Sequence, residues 1–141
     1  WLLQRGMRTL YLRVKAASRS AQEIAEYLKG HELVEEVLYP GLPAFTGHEI
    51  AARQMLGGFG GMLSVRVKGG EAAAIATAAH VDIWKRATSL GGVESLIEHR
   101  ASVEGANSPV PTDLLRLSVG IENTDDLIDD LDEALLQGHR K

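Results

Sequence analysis

The sequence contains no cysteine. That excludes a disulfide framework, a thiol nucleophile and a cysteine zinc site, and it fits a reducing compartment, so cytoplasm is the expected location. Positive charge is not in excess either. Fifteen Lys plus Arg against 19 Asp plus Glu give a formal net charge of -4, which offers no field to a phosphate backbone or an anionic lipid and argues against nucleic-acid and membrane partners. Long apolar runs are missing, and Trp1-Leu2-Leu3 is broken at once by Gln4 and Arg5, so neither a membrane helix nor a signal peptide is expected. The histidines, His31, His48, His80, His99 and His139, lack H-x-x-x-H and H-E-x-x-H spacing, and no metal site is expected. The cluster Gly57-Gly58-Phe59-Gly60-Gly61 has neither Gly-Lys-Ser/Thr nor a full G-x-G-x-x-G. It follows a helical pattern and precedes a strand pattern, so it reads as a sharp connection with close backbone approach and not as a phosphate cradle. Nothing places a His beside a Ser for nucleophilic catalysis.

What is present is a chain of 141 residues, 45% hydrophobic and 24% charged, long enough for one domain with a real core. It starts at a tryptophan inside an apolar segment, which suggests a piece of a longer protein. Leu2, Leu3, Met7, Leu10, Val14, Ala17, Ala21, Ile24, Ala25 and Leu28 recur three or four apart. This predicts one long or once-broken helix over 1–29, ended by Gly30, whose first turns bury against a neighbour. The expected division is a linking helix over 1–30 and an α+β domain over 31–141.

Within that domain, strands are predicted at 33–39, at 62–67 with alternating Leu63, Val65 and Val67, at 81–87, at 94–101 in extended form, and at 114–119. Thr46 with Glu49 predicts a capping box opening a helix through about Met55. The alanine-rich 71–79 predicts a helix, and 103–111 a loop. Thr124 is predicted to cap a last helix over 125–136 that Gly138 closes, its acids Glu122, Asp125, Asp126, Asp129, Asp130, Asp132 and Glu133 forming a solvated face. The predicted class is α+β: a small, mostly antiparallel sheet with helices on one face.

Two places carry chemistry. The strand period puts Leu115, Leu117 and Val119 on one face and Leu114, Arg116 and Ser118 on the other, so Arg116 is a fixed cation in an otherwise apolar strand. A guanidinium so held suits bidentate recognition of a carboxylate, although the same pattern serves a structural or surface ion pair. In Thr88-Ser89-Leu90-Gly91-Gly92 a hydroxyl pair precedes two glycines, which can be a simple turn or a place where backbone approaches another group.

At these residues the sequence resembles a known family. Ser89-Leu90-Gly91-Gly92-Val93-Glu94-Ser95-Leu96-Ile97, Leu115-Arg116-Leu117-Ser118-Val119-Gly120-Ile121-Glu122 and Asp126-Leu127-Ile128-Asp129-Asp130-Leu131 resemble the C-terminal part of the Cys/Met-metabolism pyridoxal-phosphate enzymes. That family includes the cystathionine γ-synthases, cystathionine γ-lyases and methionine γ-lyases. Leu2-Leu3-Gln4-Arg5-Gly6-Met7-Arg8-Thr9-Leu10 is similar to the family's linking helix, and Gly47-His48-Glu49-Ile50-Ala51 and Phe59-Gly60-Gly61-Met62-Leu63-Ser64 also match, so the likeness runs along the whole chain.

The resemblance implies a fold-type I enzyme whose large cofactor-binding domain lies upstream, with a homotetramer built from dimers. It implies that Arg116 binds the α-carboxylate of an amino-acid substrate, and that Ser89 lies beside pyridoxal 5'-phosphate and the Schiff-base lysine and helps position substrate. Leu90 after that serine resembles the members acting at Cγ, by elimination or replacement on sulfur amino acids or homoserine esters. Thr88 stands where γ-synthases and γ-lyases often carry Glu at the distal end of cystathionine, and Arg100 to Gly105 replaces the family's Pro-Ala-Ser-Met-Thr-His. None of Lys15, Lys29, Lys68, Lys85 or Lys141 has the Ser/Thr-rich surroundings of the family's lysine. No catalytic residue is therefore expected in this segment, which is predicted inactive alone. The alternative from another class is a free-standing, non-catalytic binding or oligomerisation domain; the apolar Leu2, Leu3, Met7, Leu10 and Val14 favour the fragment.

Overall fold

The structure, a computed structural model, describes residues 1–105 and 107–140; Ala106, in the expected loop, and Lys141, one of the five lysines, lie outside them. The N-terminal helix is broken once, into α1 (Leu2–Met7) and α2 (Leu10–Lys29), and ends at Gly30. Its two halves differ. Trp1, Leu2, Leu3, Met7, Leu10 and Val14 are exposed, whereas Ala21, Ile24, Ala25 and Leu28 are buried in the core.

Then follow β1 (Val34–Leu38), α3 (His48–Gln54), β2 (Met62–Val67), α4 (Gly70–Ala79), β3 (Lys85–Arg86), β4 (Leu96–His99), α5 (Arg100–Glu104), β5 (Leu114–Ser118) and α6 (Thr124–Gly138). The strands form one sheet of order β1-β2-β5-β4-β3. It is antiparallel except where β3 pairs with β4 in parallel. Helices α2 and α4 pack on the sheet and α6 packs on both of them, giving the expected α+β architecture. Among the described residues no helix is long and apolar enough to cross a membrane.

The register follows from side-chain alternation. Leu63, Leu117 and Ile97 sit opposite one another across β2, β5 and β4 and are at most 2% exposed, so they form the floor under the helices. In α4 the buried residues are the small Ala73, Ala74, Thr77 and Ala78, which lets α6 come close. A Cβ at Gly138 would lie 2.5 Å from Thr77 Oγ1.

Several local expectations are corrected. The strand expected over 81–87 is reduced to Lys85–Arg86. Both oxygens of the Asp130 carboxylate accept the backbone N–H groups of Asp82, Ile83 and Trp84, at 2.8 to 3.0 Å, so these donors are taken by a side chain instead of a ladder. The extended stretch over 94–101 is strand only at Leu96–His99, and 100–104 is helical. The Arg100–Glu104 ion pair, spaced i to i+4, supports that turn.

The capping box does not form. Helix α3 is capped by Gly47 with no side-chain bond, because the helix starts one residue beyond the position that Thr46 would need. The last helix is capped by Asn123, whose Oδ1 accepts from Asp125 and Asp126 N–H, while Thr124 hydrogen-bonds Ser20 at 2.8 Å. Gly138 lies inside α6, and the cap is His139. The glycine cluster behaves as expected of a close connection. Gly58 has φ +141, and a Cβ there would lie 2.2 Å from Ser18 Oγ, so a side chain is excluded twice over.

Candidate substrate-carboxylate site

The site is built on the sheet face opposite the apolar floor. Moving one residue along each strand from Leu63, Leu117 and Ile97 gives the row Ser64, Arg116 and Glu98. Arg116 therefore stands between β2 and β4 on the face opposite that apolar row. Its Nε forms an ion pair with Glu98 Oε1 at 2.8 Å, and its Nη2 donates to the Ser89 carbonyl at 2.8 Å. Nη1 has no hydrogen-bond partner among the described residues, and the side chain is 20% exposed. The guanidinium is thus clamped on one edge and open on the other, the arrangement a planar carboxylate needs.

The Thr88 to Ser95 segment is fixed at both ends. At the front, the Ser89 carbonyl is held by Arg116, and the Thr88 hydroxyl donates to Glu98 Oε2. At the back, Glu122 accepts the Ser95 N–H at 2.7 Å and the Ser95 hydroxyl at 2.8 Å, while Ser95 Oγ accepts from Gly120 N–H. A Cβ at Gly120 would sit 2.3 Å from the Val93 carbonyl, so only glycine lets the two segments meet here. Between these anchors Leu90 is 84% exposed. The Ser89 hydroxyl oxygen accepts the Gly91 N–H at 3.0 Å, which leaves its own hydrogen free to donate outward.

Arg116, Ser89 and Thr88, singled out from sequence, are therefore brought together. What holds them is Glu98, which sequence reasoning missed. Its side chain is 5% exposed, and its Oε1 also accepts from Arg100 Nη1 at 3.1 Å. Arg100 pairs in turn with Glu104 at 2.6 Å. Hydrogen bonding to Glu104, then to Glu98, pushes the Arg100 guanidinium above its ordinary range. The Ser108 hydroxyl, followed by Arg100, holds Glu104 below the usual carboxylate range. The i to i+4 spacing of Arg100 and Glu104 could have signalled this pair. Glu98 carried no such signal, since its place beside Arg116 depends on the pairing register.

Open space flanks the site. A cavity of about 380 Å³ lies between α2 and the loop, lined by Leu10, Val14, Met62, Leu90, Gly91 and Gly92. A larger groove of about 570 Å³, along α2 and Gly57–Phe59, is lined by neither Arg116 nor Ser89. The histidines have structural partners: His31 bonds Asp132, His48 the Pro40 carbonyl, His80 that of Ala76, His99 Ser102 and the Thr112 carbonyl, and His139 those of Leu135 and Lys68.

For pyridoxal phosphate the fit is partial and specific. The free Ser89 hydroxyl, on an exposed loop beside Arg116, can donate to a bound cofactor, while the described lysines lie elsewhere: Lys85 Nζ, for instance, bonds the Asp82 carbonyl. These residues suit one wall of a cofactor site and the carboxylate end of its substrate.

Comparison with known proteins gives the family. The family model for Cys/Met metabolism PLP-dependent enzymes matches residues 1–136. Cystathionine gamma-synthase of Mycobacterium tuberculosis is 53% identical over 140 residues, covering 96% of this chain and 36% of that protein. Cystathionine beta-lyase of Lactococcus lactis is 45% identical over 143 residues, covering 96% and 37%. Cystathionine gamma-lyase of Saccharomyces cerevisiae is 43% identical over 147 residues, covering 97% and 37%. Among solved structures, the yeast cystathionine gamma-lyase superposes with a TM-score of 0.90 at 41% identity, covering 99% of this chain and 38% of that one. The metB protein of Corynebacterium glutamicum gives 0.89 at 46%, covering 96% and 36%. The chain thus spans little more than a third of the relatives it matches. With the fold, the motifs and the family model in agreement, the chain belongs to the Cys/Met metabolism PLP-dependent enzyme family.

Proposed function

We propose that this chain is the C-terminal, substrate-binding region of a cytoplasmic pyridoxal-phosphate enzyme of transsulfuration. In this reading it acts at Cγ, by elimination or replacement on a sulfur amino acid or a homoserine ester. The observation that carries the reading is Arg116: a cation clamped by Glu98 and the Ser89 carbonyl, with Nη1 unpartnered among the described residues. Such a group recognises a carboxylate through charge-assisted hydrogen bonds and cannot lose its charge.

Within the full enzyme Arg116 holds the α-carboxylate and so fixes the orientation of the substrate Cα–H bond. The Ser89 hydroxyl, with its hydrogen free, supports the cofactor side of the bound amino acid. Thr88 acts at the rim through its hydrogen bond to Glu98. Pyridoxal phosphate, when bound, supplies the electron sink that makes the α-proton acidic. Leu90 supports reaction at Cγ by its likeness to the γ-acting members, two of which are among the relatives named above. The exposed Trp1, Leu2, Leu3, Met7, Leu10 and Val14 support a linking role for residues 1–30, docking on a large domain of the same chain within a homo-oligomer. That domain supplies the lysine, so residues 1–141 do not turn over alone.

The test is Arg116→Ala in the full-length protein. Removing one partner of a desolvated charge pair is expected to lower kcat/KM by about 2 to 5 kcal/mol, with the cofactor absorbance intact. Unchanged kcat/KM overturns the reading.

A further inference from the structure

We propose that Glu98 is a positioning residue for carboxylate recognition, fixing the guanidinium of Arg116 so that Nη1 is left as the group that meets the substrate. The inference rests on the reading of Arg116 as the carboxylate receptor and adds a residue to it. Glu98 is buried, with its side chain 5% exposed, and a lone carboxylate there would be strongly disfavoured. Its oxygens are instead shared out: Oε1 forms an ion pair with Arg116 Nε at 2.8 Å and accepts from Arg100 Nη1 at 3.1 Å, and Oε2 accepts from the Thr88 hydroxyl.

An arginine rotor of high conformational entropy is thereby ordered before any ligand arrives, and the cost of ordering does not fall on binding. Because the same guanidinium also grips the Ser89 carbonyl, Glu98 sets the loop and the cation together. Arg100 supplies a second cation on the same oxygen and is itself braced by Glu104 at 2.6 Å. Glu98 therefore keeps a partner even while Arg116 engages a ligand.

The experiment uses the full-length, cofactor-loaded protein, titrated with L-norleucine and with n-pentylamine, which has the same skeleton without the carboxylate, while the absorbance of the bound cofactor is followed. Glu98→Gln is expected to weaken L-norleucine by about tenfold or more and leave n-pentylamine within about twofold. In an Arg116→Ala background it should add nothing, since both act through one contact. If Glu98→Gln does not fold, Glu98→Asp, which keeps the charge on a shorter stem, is expected to give a smaller weakening of the same selectivity. Native L-norleucine affinity in the Glu98 variants, with Arg116→Ala impaired, overturns this inference alone. Equal loss for both ligands, or additive effects in the double variant, overturns it as a merely structural role. If Arg116→Ala itself binds L-norleucine normally, the reading of Arg116 falls and this one with it.

Discussion

The two faces of the central strands differ by one residue of register and by almost everything else. On one side Leu63, Leu117 and Ile97 are sealed in the core under the helix layer. On the other, Ser64, Arg116 and Glu98 form a polar row in which Arg116 and Glu98 are tied to the Thr88–Ser89 segment. The same backbone hydrogen bonds serve both. Stability and recognition are thus carried by alternate residues of the same strands, and a slip of one position would exchange them.

The comparison breaks most visibly at Leu117, which is fully buried between its neighbours on β2 and β4. Leu117→Ala is expected to cost about 2 to 5 kcal/mol of stability through lost burial and the cavity left behind, read by denaturant unfolding of the full-length protein. Substrate KM should stay near native in the protein that remains folded. Arg116→Ala should do the reverse, since Glu98 keeps Arg100 and Thr88 as partners. Comparable stability losses in the two variants would erase the distinction between the faces. A smaller effect is expected at Asp130, on the helix side. Asp130→Ala leaves the N–H groups of Asp82, Ile83 and Trp84 to water in place of their acceptor, at about 0.5 to 1.5 kcal/mol. These amides should gain hydrogen exchange while KM is unchanged; unchanged exchange would show that the carboxylate does not organise the segment.

Legibility in the sequence followed the range of the interactions. Alternation in Met62–Val67 and Leu114–Ser118, and the three-to-four spacing through Leu28, report local geometry, and those elements appear where expected. The strand expected over 81–87 failed because Asp130, far along the chain, captures its amides. The caps at Thr46 and Thr124 failed by a single residue, a distance that pattern does not resolve. At the site, Arg116, Ser89 and Thr88 stood out through residue type and resemblance. Glu98 did not, because a carboxylate in a strand becomes a partner of Arg116 only once β4 is paired with β5 in register.

The polar contacts on the helix side offer the last and smallest test. At the seam of α2 and α6 the Tyr27 hydroxyl donates to Asp132 Oδ1 at 2.7 Å, and His31 Nε2 donates to the same oxygen at 2.9 Å. The Leu33 N–H donates to His31 Nδ1, which assigns the ring proton to Nε2. The hydrogen bond to Asp132, then burial, then the charges of Asp132 and Asp129 push the Tyr27 hydroxyl from 10.0 up to about 12. Between those two values the folded chain holds a proton that the unfolded chain has released. The contribution of Tyr27 is therefore fully present below pH 10 and is lost as pH rises through about 12. Tyr27→Phe should be slightly less stable than the native protein at neutral pH and should lose stability less steeply through that alkaline window, so that the two curves converge. Parallel curves would show that the proton of Tyr27 is not linked to folding. KM should be native in either case, because this cluster braces the helix layer and does not reach the face that carries Arg116.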